Sequence, residues 1–167
     1  MTEEVKRNYL EINSLNDLKE VSRPSNEYSL NEINPINFQL NKFFYKNIGK
    51  NHKWIDRLSW SEEKWINYVS NENVKTYTFK FKNNLVGFFE LIFHPKEKET
   101  EIAYFGILEE YQNKKLGSYL LSEAIKKSFH NKVERVWLHT CSLDHKNALN
   151  NYISRGMKIY KTEILKI

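Results

Sequence analysis

At Val74 the apolar residues of this chain change their spacing from helical to alternating, and few architectures accommodate the succession of elements from there onward. "VKTYTFKF" sets Lys75, Tyr77, Phe79 and Phe81 against Val74, Thr76, Thr78 and Lys80, a period of two that predicts a strand. "LVGFFELIF" comes after Asn83 and Asn84, a pair suited to the left-handed residues of a tight hairpin turn. A third strand, "TEIAYFGIL", is almost wholly apolar from Ile102 to Leu108, as expected of a central strand buried on both faces. The period then becomes helical: Leu116, Leu120 and Ala124 form one row and Leu121, Ile125 and Phe129 the next, with Ser122, Lys126 and Lys127 expected in water. A strand "VERVWLHTC", a short helix carrying Ala148, Leu149, Tyr152 and Ile153 on one side, a stop at Gly156 and a last strand "MKIYKTEIL" complete the order. Such an order predicts an α/β sandwich with a mixed sheet.

The first seventy residues are less regular. "NYLEINS" reads as an edge strand, and Lys19 to Ser29, polar with one proline, as a linker. Phe38, Leu40, Phe43, Phe44 and Ile48 have helical spacing and stop at Gly49, while Ser61 followed by Glu63 and Lys64 opens a second helix. With 167 residues and 40% apolar content, one globular domain over 1–167 is expected, its first thirty residues peripheral. Neither a signal-peptide pattern nor an apolar run of membrane-spanning length is present in the sequence, which predicts a cytoplasmic protein with no membrane partner. The single Cys141 excludes an internal disulfide. A net charge of +5 permits a polyanionic partner without demanding one, and the lysines are spread along the whole chain.

The start of the long helix breaks a local rule. "YQNKKLGSYL" puts Lys114 and Lys115 where unpaired N–H groups and the macrodipole already make the chain positive, a placement that costs about 0.3 to 1 kcal/mol per lysine unless an anion binds. A strand running through a short loop into such a start can bind phosphate through backbone N–H groups, and Gly117 removes a side chain from the approach. Neither the P-loop nor the GxGxxG pattern is present.

"ILEEYQNKKLGSYLL" resembles the acetyl-CoA signature of the GNAT superfamily of N-acetyltransferases, Q/R-x-x-G-x-G/A, with Gln112, Asn113, Lys114, Lys115, Leu116 and Gly117 in the six places. Lys115 departs from the pattern by standing at the first glycine. Downstream, Ala148, Tyr152, Gly156 and Met157 match N-x-x-A-x-x-x-Y-x-x-x-G-F, with His145 in place of the asparagine. "WLHTCSLDH" and "YFG" are similar to segments of an uncharacterised bacterial subgroup of these enzymes.

The resemblance implies a mixed, mainly antiparallel sheet flanked by helices, with a splayed central strand pair whose irregularity is expected at Gly106. It implies acetyl-CoA as cosubstrate without a metal, its phosphates cradled by Lys114, Lys115, Gly117 and Ser118, its site including Gln112, Asn113, Leu116 and His145, and its pantetheine met by backbone groups of Ile107 and Leu108. Tyr152 takes the place of the acid that protonates the thiolate, and Glu101 resembles a general base. Each has a plainer reading, a core ring for Tyr152 and a solvated strand-end carboxylate for Glu101. In "HKWIDRLSW" the resemblance places an acceptor pocket, with Trp54 and Trp60 embracing an amine and Asp56 orienting it. The alternative has the tryptophans anchoring the helix pair and Asp56 pairing with Arg57.

The implied activity is transfer of an acetyl group to a primary amine of a small molecule or peptide, by direct attack in a ternary complex; a homodimer is left open. Two further readings compete. One is a catalytically impaired CoA-binding sensor or scaffold. The other, in which nucleic acid is not otherwise expected, is a single-stranded RNA-binding domain that stacks bases on Tyr77, Phe79 and Phe88. His139, Asp144 and His145 fall within seven residues, but a third zinc ligand at suitable spacing is missing, and Asp144 reads as a helix N-cap.

Overall fold

The computed structural model describes residues 3–130 and 132–166. Its strands are β1 (Glu4–Ile12), β2 (Tyr28–Glu32), β3 (Val74–Phe81), β4 (Asn84–His94), β5 (Glu99–Ile107), β6 (Arg135–Cys141) and β7 (Lys158–Lys166). The helices are α1 (Phe38–Gly49), α2 (Glu62–Ser70), α3 (Leu116–Ser128) and α4 (Ala148–Ser154). One seven-stranded sheet runs in the order β2-β3-β4-β5-β6-β1-β7. Every pairing is antiparallel except β5 with β6, whose connection is the α3 crossover that a parallel pair requires. The order from Val74 onward is the one that the hydrophobic period predicts.

Helix α3 lies against β4 and β5 and buries Leu116, Leu120, Leu121, Ala124 and Ile125 in one core with Phe89, Ile102, Leu10 and Val136. Ser122, expected in water, is fully buried, and its hydroxyl accepts the Val21 N–H at 3.2 Å. The supposed linker therefore lies along this helix, pinned also by Glu20 on Lys126 at 2.7 Å and by the Lys19 N–H on the Arg155 carbonyl at 2.9 Å. The N-terminal strand is not an edge. It pairs with β6 on one side and β7 on the other, and β2 and β7 are the true edges.

Three smaller expectations change. Lys82, at φ 54°, is the left-handed residue of the β3–β4 turn. Strand β5 is only half-buried over Ala103 to Phe105, because one side of it borders a cleft. Its irregularity lies at Ala103, where the register with β4 jumps from Glu90↔Tyr104 to Leu91↔Ile102. Gly106 serves packing instead: a Cβ there would come within 2.7 Å of Ile48 Cγ2, so its absence lets α1 lie against the sheet.

Candidate active site

Strands β5 and β6 pair only from Glu99↔Arg135 to Glu101↔Trp137, and beyond Glu101 they separate. A cavity of about 1070 Å³ fills the opening. The β4–β5 ladder decides which backbone groups of β5 face it. The Leu108 N–H donates to the Val86 carbonyl at 2.8 Å, so Val86 and Leu108 are a hydrogen-bonded pair, and alternation turns the N–H and C=O of Ile107 and Phe105 away from β4 into the gap. The Ile107 carbonyl is met by Gln112 Nε2 at 3.1 Å, and its N–H points into the cleft. Leu108 contributes no free backbone group: its carbonyl accepts the Tyr111 N–H at 2.9 Å. Of the two residues expected to offer backbone groups, Ile107 does so and Leu108 does not; Phe105 takes the second place.

The loop into α3 holds two non-glycine residues in left-handed conformation, Asn113 and Lys115, both at φ 62°. Lys115 thus adopts the backbone that a glycine takes readily. The helix start has no side-chain cap and no acidic residue in its first turn, which leaves its N–H groups without a side-chain acceptor. A Cβ on Gly117 would meet nothing closer than Asn151 Nδ2 at 3.7 Å, so internal packing does not require the glycine; what it leaves open is the cleft. Asn151 Nδ2 donates to the Gly117 carbonyl at 3.1 Å, joining α4 to this turn. Lys115 lines the cleft, whereas Lys114 stands 5.5 Å over the Tyr111 ring.

Gln112, Asn113, Leu116, Gly117, Ser118 and His145 line the same cavity, as do Glu101, Tyr152, Trp54 and Asp56. Trp60 does not. It packs at 4.9 Å on Trp65 and 5.5 Å on Tyr68, in a cage of rings around the Arg57 guanidinium. Tyr152 is buried beside Phe105, and burial above all, with Asp144 and Cys141 adding, raises its pKa far above that of a free phenol. Glu101 is held by His94 Nε2 at 3.1 Å, and His94 stacks on Trp137.

Asp144 is not an N-cap. Its carboxylate accepts Thr140 Oγ1 at 2.6 Å and the Cys141 N–H at 2.9 Å, closing the turn after β6, and Asn147 precedes α4. His145 Nδ1 accepts the Asn147 N–H, and desolvation followed by the charge of His52 lowers its pKa. The His139 ring opens on the cleft yet is surrounded by protein; this desolvation, then Arg7, lowers its pKa as well. Among the described residues, no group of three or more His, Cys, Asp or Glu side chains is placed to hold a metal ion. The rings proposed for base stacking are core: Phe79 and Phe88 are 0% exposed and Tyr77 is 9%.

Sequence reasoning missed the group that shapes this end of the cleft. Arg57 is not paired with Asp56, which is exposed at the mouth; it pairs with Glu90 on β4 at 2.9 Å. Tyr68 donates to the same carboxylate at 2.7 Å and Asn41 Nδ2 at 2.9 Å. A single carboxylate inside the apolar run "GFFELIF" was the available signal. Trp54 is set by Gly49, where any Cβ would collide with the indole, so this glycine gives room to a ring as well as ending α1.

Residues 37–157 match the sequence profile of the acetyltransferase (GNAT) family. No curated protein matches the chain. Among solved structures it is similar to a GCN5-related N-acetyltransferase from Sphaerobacter thermophilus (TM-score 0.72, 14% identity, 99% of this chain and 52% of that one). It is also similar to a spermidine N-acetyltransferase from Vibrio cholerae in complex with CoA and spermine (0.64, 17%, 86% and 96%). A third is an aminoglycoside acetyltransferase from an uncultured soil metagenomic sample (0.58, 13%, 80% and 90%). The chain spans 51% to 64% of the length of the first five structures that it matches.

Proposed function

The chain belongs to the acetyltransferase (GNAT) family, and on that premise we propose that it moves an acetyl group from acetyl-CoA to a primary amine of a small molecule or peptide by direct attack in a ternary complex. One observation carries this reading: the opened strand pair presents the Ile107 N–H to a cleft that ends at the uncapped start of α3. The residues fit the cosubstrate. Backbone donors at Leu116, Gly117 and Ser118, with the Lys115 charge beside them, suit a pyrophosphate, and the unfilled space at Gly117 admits it. Phe105 and Ile107 suit the amides of an extended arm.

Bound acetyl-CoA supplies an activated acyl carbon and a thiolate leaving group. The Phe105 N–H, turned into the gap like that of Ile107 but four residues from Glu101 where Ile107 is six, is the donor for the oxygen that gains negative charge as the amine attacks. Tyr152, kept protonated by burial, is the proton donor to the departing sulfur. Glu101, oriented by His94, stands about 13 Å before Phe105 along the strand and is the acceptor, through intervening water, for the proton that the amine must lose.

The test is calorimetry with acetyl-CoA on the wild type and on Gly117→Glu, followed by thiol release over a panel of amines. Micromolar-range binding that the variant loses supports the cradle at Gly117. Equal binding by both proteins would sink it, and binding without thiol release from any amine would favour the sensor reading.

A further inference from the structure

The half of the cleft beyond Glu101 is a chamber with an unusual charge balance. Its floor is the face of β6 and β1 that carries His139, Cys141 and Arg7. The connection between α1 and α2 closes over it, fastened by the His52 ring on the Leu143 carbonyl at 3.0 Å, by Lys53 on Glu3 at 2.6 Å and by Trp54 Nε1 on Asp144 at 3.5 Å. Within this chamber almost every charge has a partner. Arg57 is matched by Glu90, Glu101 by His94, and Asp144 by Thr140 and the Cys141 N–H. Glu163, opposite Arg7 on β7, is taken by Lys161 at 2.7 Å and by the Tyr9 hydroxyl at 3.3 Å.

Besides Asp56, which stands in solvent at the mouth, Arg7 is the exception. Among the described residues, none of the ion pairs within 4.0 Å includes it. Its Nε is buried without a hydrogen-bond partner while its side chain lines the cavity. A buried donor left unmet costs about 1 to 3 kcal/mol, more when charged, so its retention needs a reason. A guanidinium offers a planar fork that matches a carboxylate. Along β6 the three groups follow in order on one face: Glu101 is level with Trp137, His139 comes two residues later, and Arg7 is level with Cys141.

We propose that the acceptor amine carries a carboxylate, as an amino acid or short peptide with a free C-terminus does, and that Arg7 holds this carboxylate while the amine faces His139 and Glu101. The inference rests on the acetyl-transfer reading for the chemistry but not for the binding site. A purely cationic acceptor such as a polyamine meets repulsion from Arg7 and gains nothing from its fork.

The experiment compares a dipeptide, its C-terminal amide and spermidine as acceptors in thiol release. In parallel, calorimetry measures binding of the N-acetylated dipeptide with a free or an amidated C-terminus. The free carboxylate should be favoured about tenfold to a hundredfold in kcat/KM and in affinity. Arg7→Met should erase the preference and leave acetyl-CoA affinity unchanged, and Arg7→Lys should restore part of it. Equal use of the amide, a preference for spermidine, or a preference that survives in Arg7→Met overturns the proposal. No thiol release from any acceptor overturns the acetyl-transfer reading instead, and the calorimetric comparison then decides the carboxylate site alone.

Discussion

The Arg57 guanidinium and the Glu90 carboxylate meet at 2.9 Å with 6% and 0% of their side chains exposed. Burial pulls the guanidinium toward its neutral form, and Glu90, aided by Tyr68 and Tyr104, outweighs it and raises the pKa. The pair ties the α1–α2 connection to the centre of the sheet, and Tyr45 on α1 accepts the Arg57 N–H at 3.0 Å. Removing one partner leaves an uncompensated buried charge. Glu90→Ala and Arg57→Ala should each lower stability by about 3 to 5 kcal/mol in urea unfolding. The double variant should be less destabilised than the sum of the two, and strict additivity would mean that the charges do not act as a pair.

Lys115 holds a left-handed backbone at φ 62° and ψ 15°. Lys115→Gly should therefore stabilise the fold by about 1 kcal/mol. If the lysine contributes charge to a phosphate site, the same variant should bind acetyl-CoA several-fold more weakly in calorimetry. Tighter binding would mean that the lysine obstructs the turn.

Tyr152 is buried and protonated, with its ring edge-on to Phe105 at 6.4 Å between centroids. Tyr152→Phe keeps the ring and removes the proton. Turnover should fall about a hundredfold with little change in acetyl-CoA affinity. Undiminished turnover would return Tyr152 to a packing role.

His139 and His145 both have lowered pKa values, chiefly through desolvation. Near and below the ordinary histidine value of about 6.5, the unfolded chain therefore binds more protons than the folded one. Stability rises with pH where the unfolded state binds more protons, so acidification through this range should destabilise the protein. Denaturant midpoints measured between about pH 5 and pH 8 should show this slope, and His139→Gln should flatten part of it. A slope unchanged by His139→Gln would assign the effect to other groups.

Much of the fold is legible in the sequence because its determinants are local. The alternation of Val74 to Phe81, the rows of α3 and the Ser61 cap, whose hydroxyl accepts the Lys64 N–H at 3.1 Å, act over a few residues, and so do the two motifs around Gly117 and Tyr152. They define the elements, their order and the end of the cleft at α3. Tertiary structure decided the rest. The place of β1 between β6 and β7, and the turning of Ile107 into the gap while Leu108 is spent on Val86, depend on strand register. The pairing of Arg57 with Glu90, 33 residues away, depends on which side chains the packed sheet and helices bring within reach. Such pairings are chosen by the free energy of the whole assembly, in which one register or bulge changes the facing of every residue beyond it, so no short stretch of sequence records them.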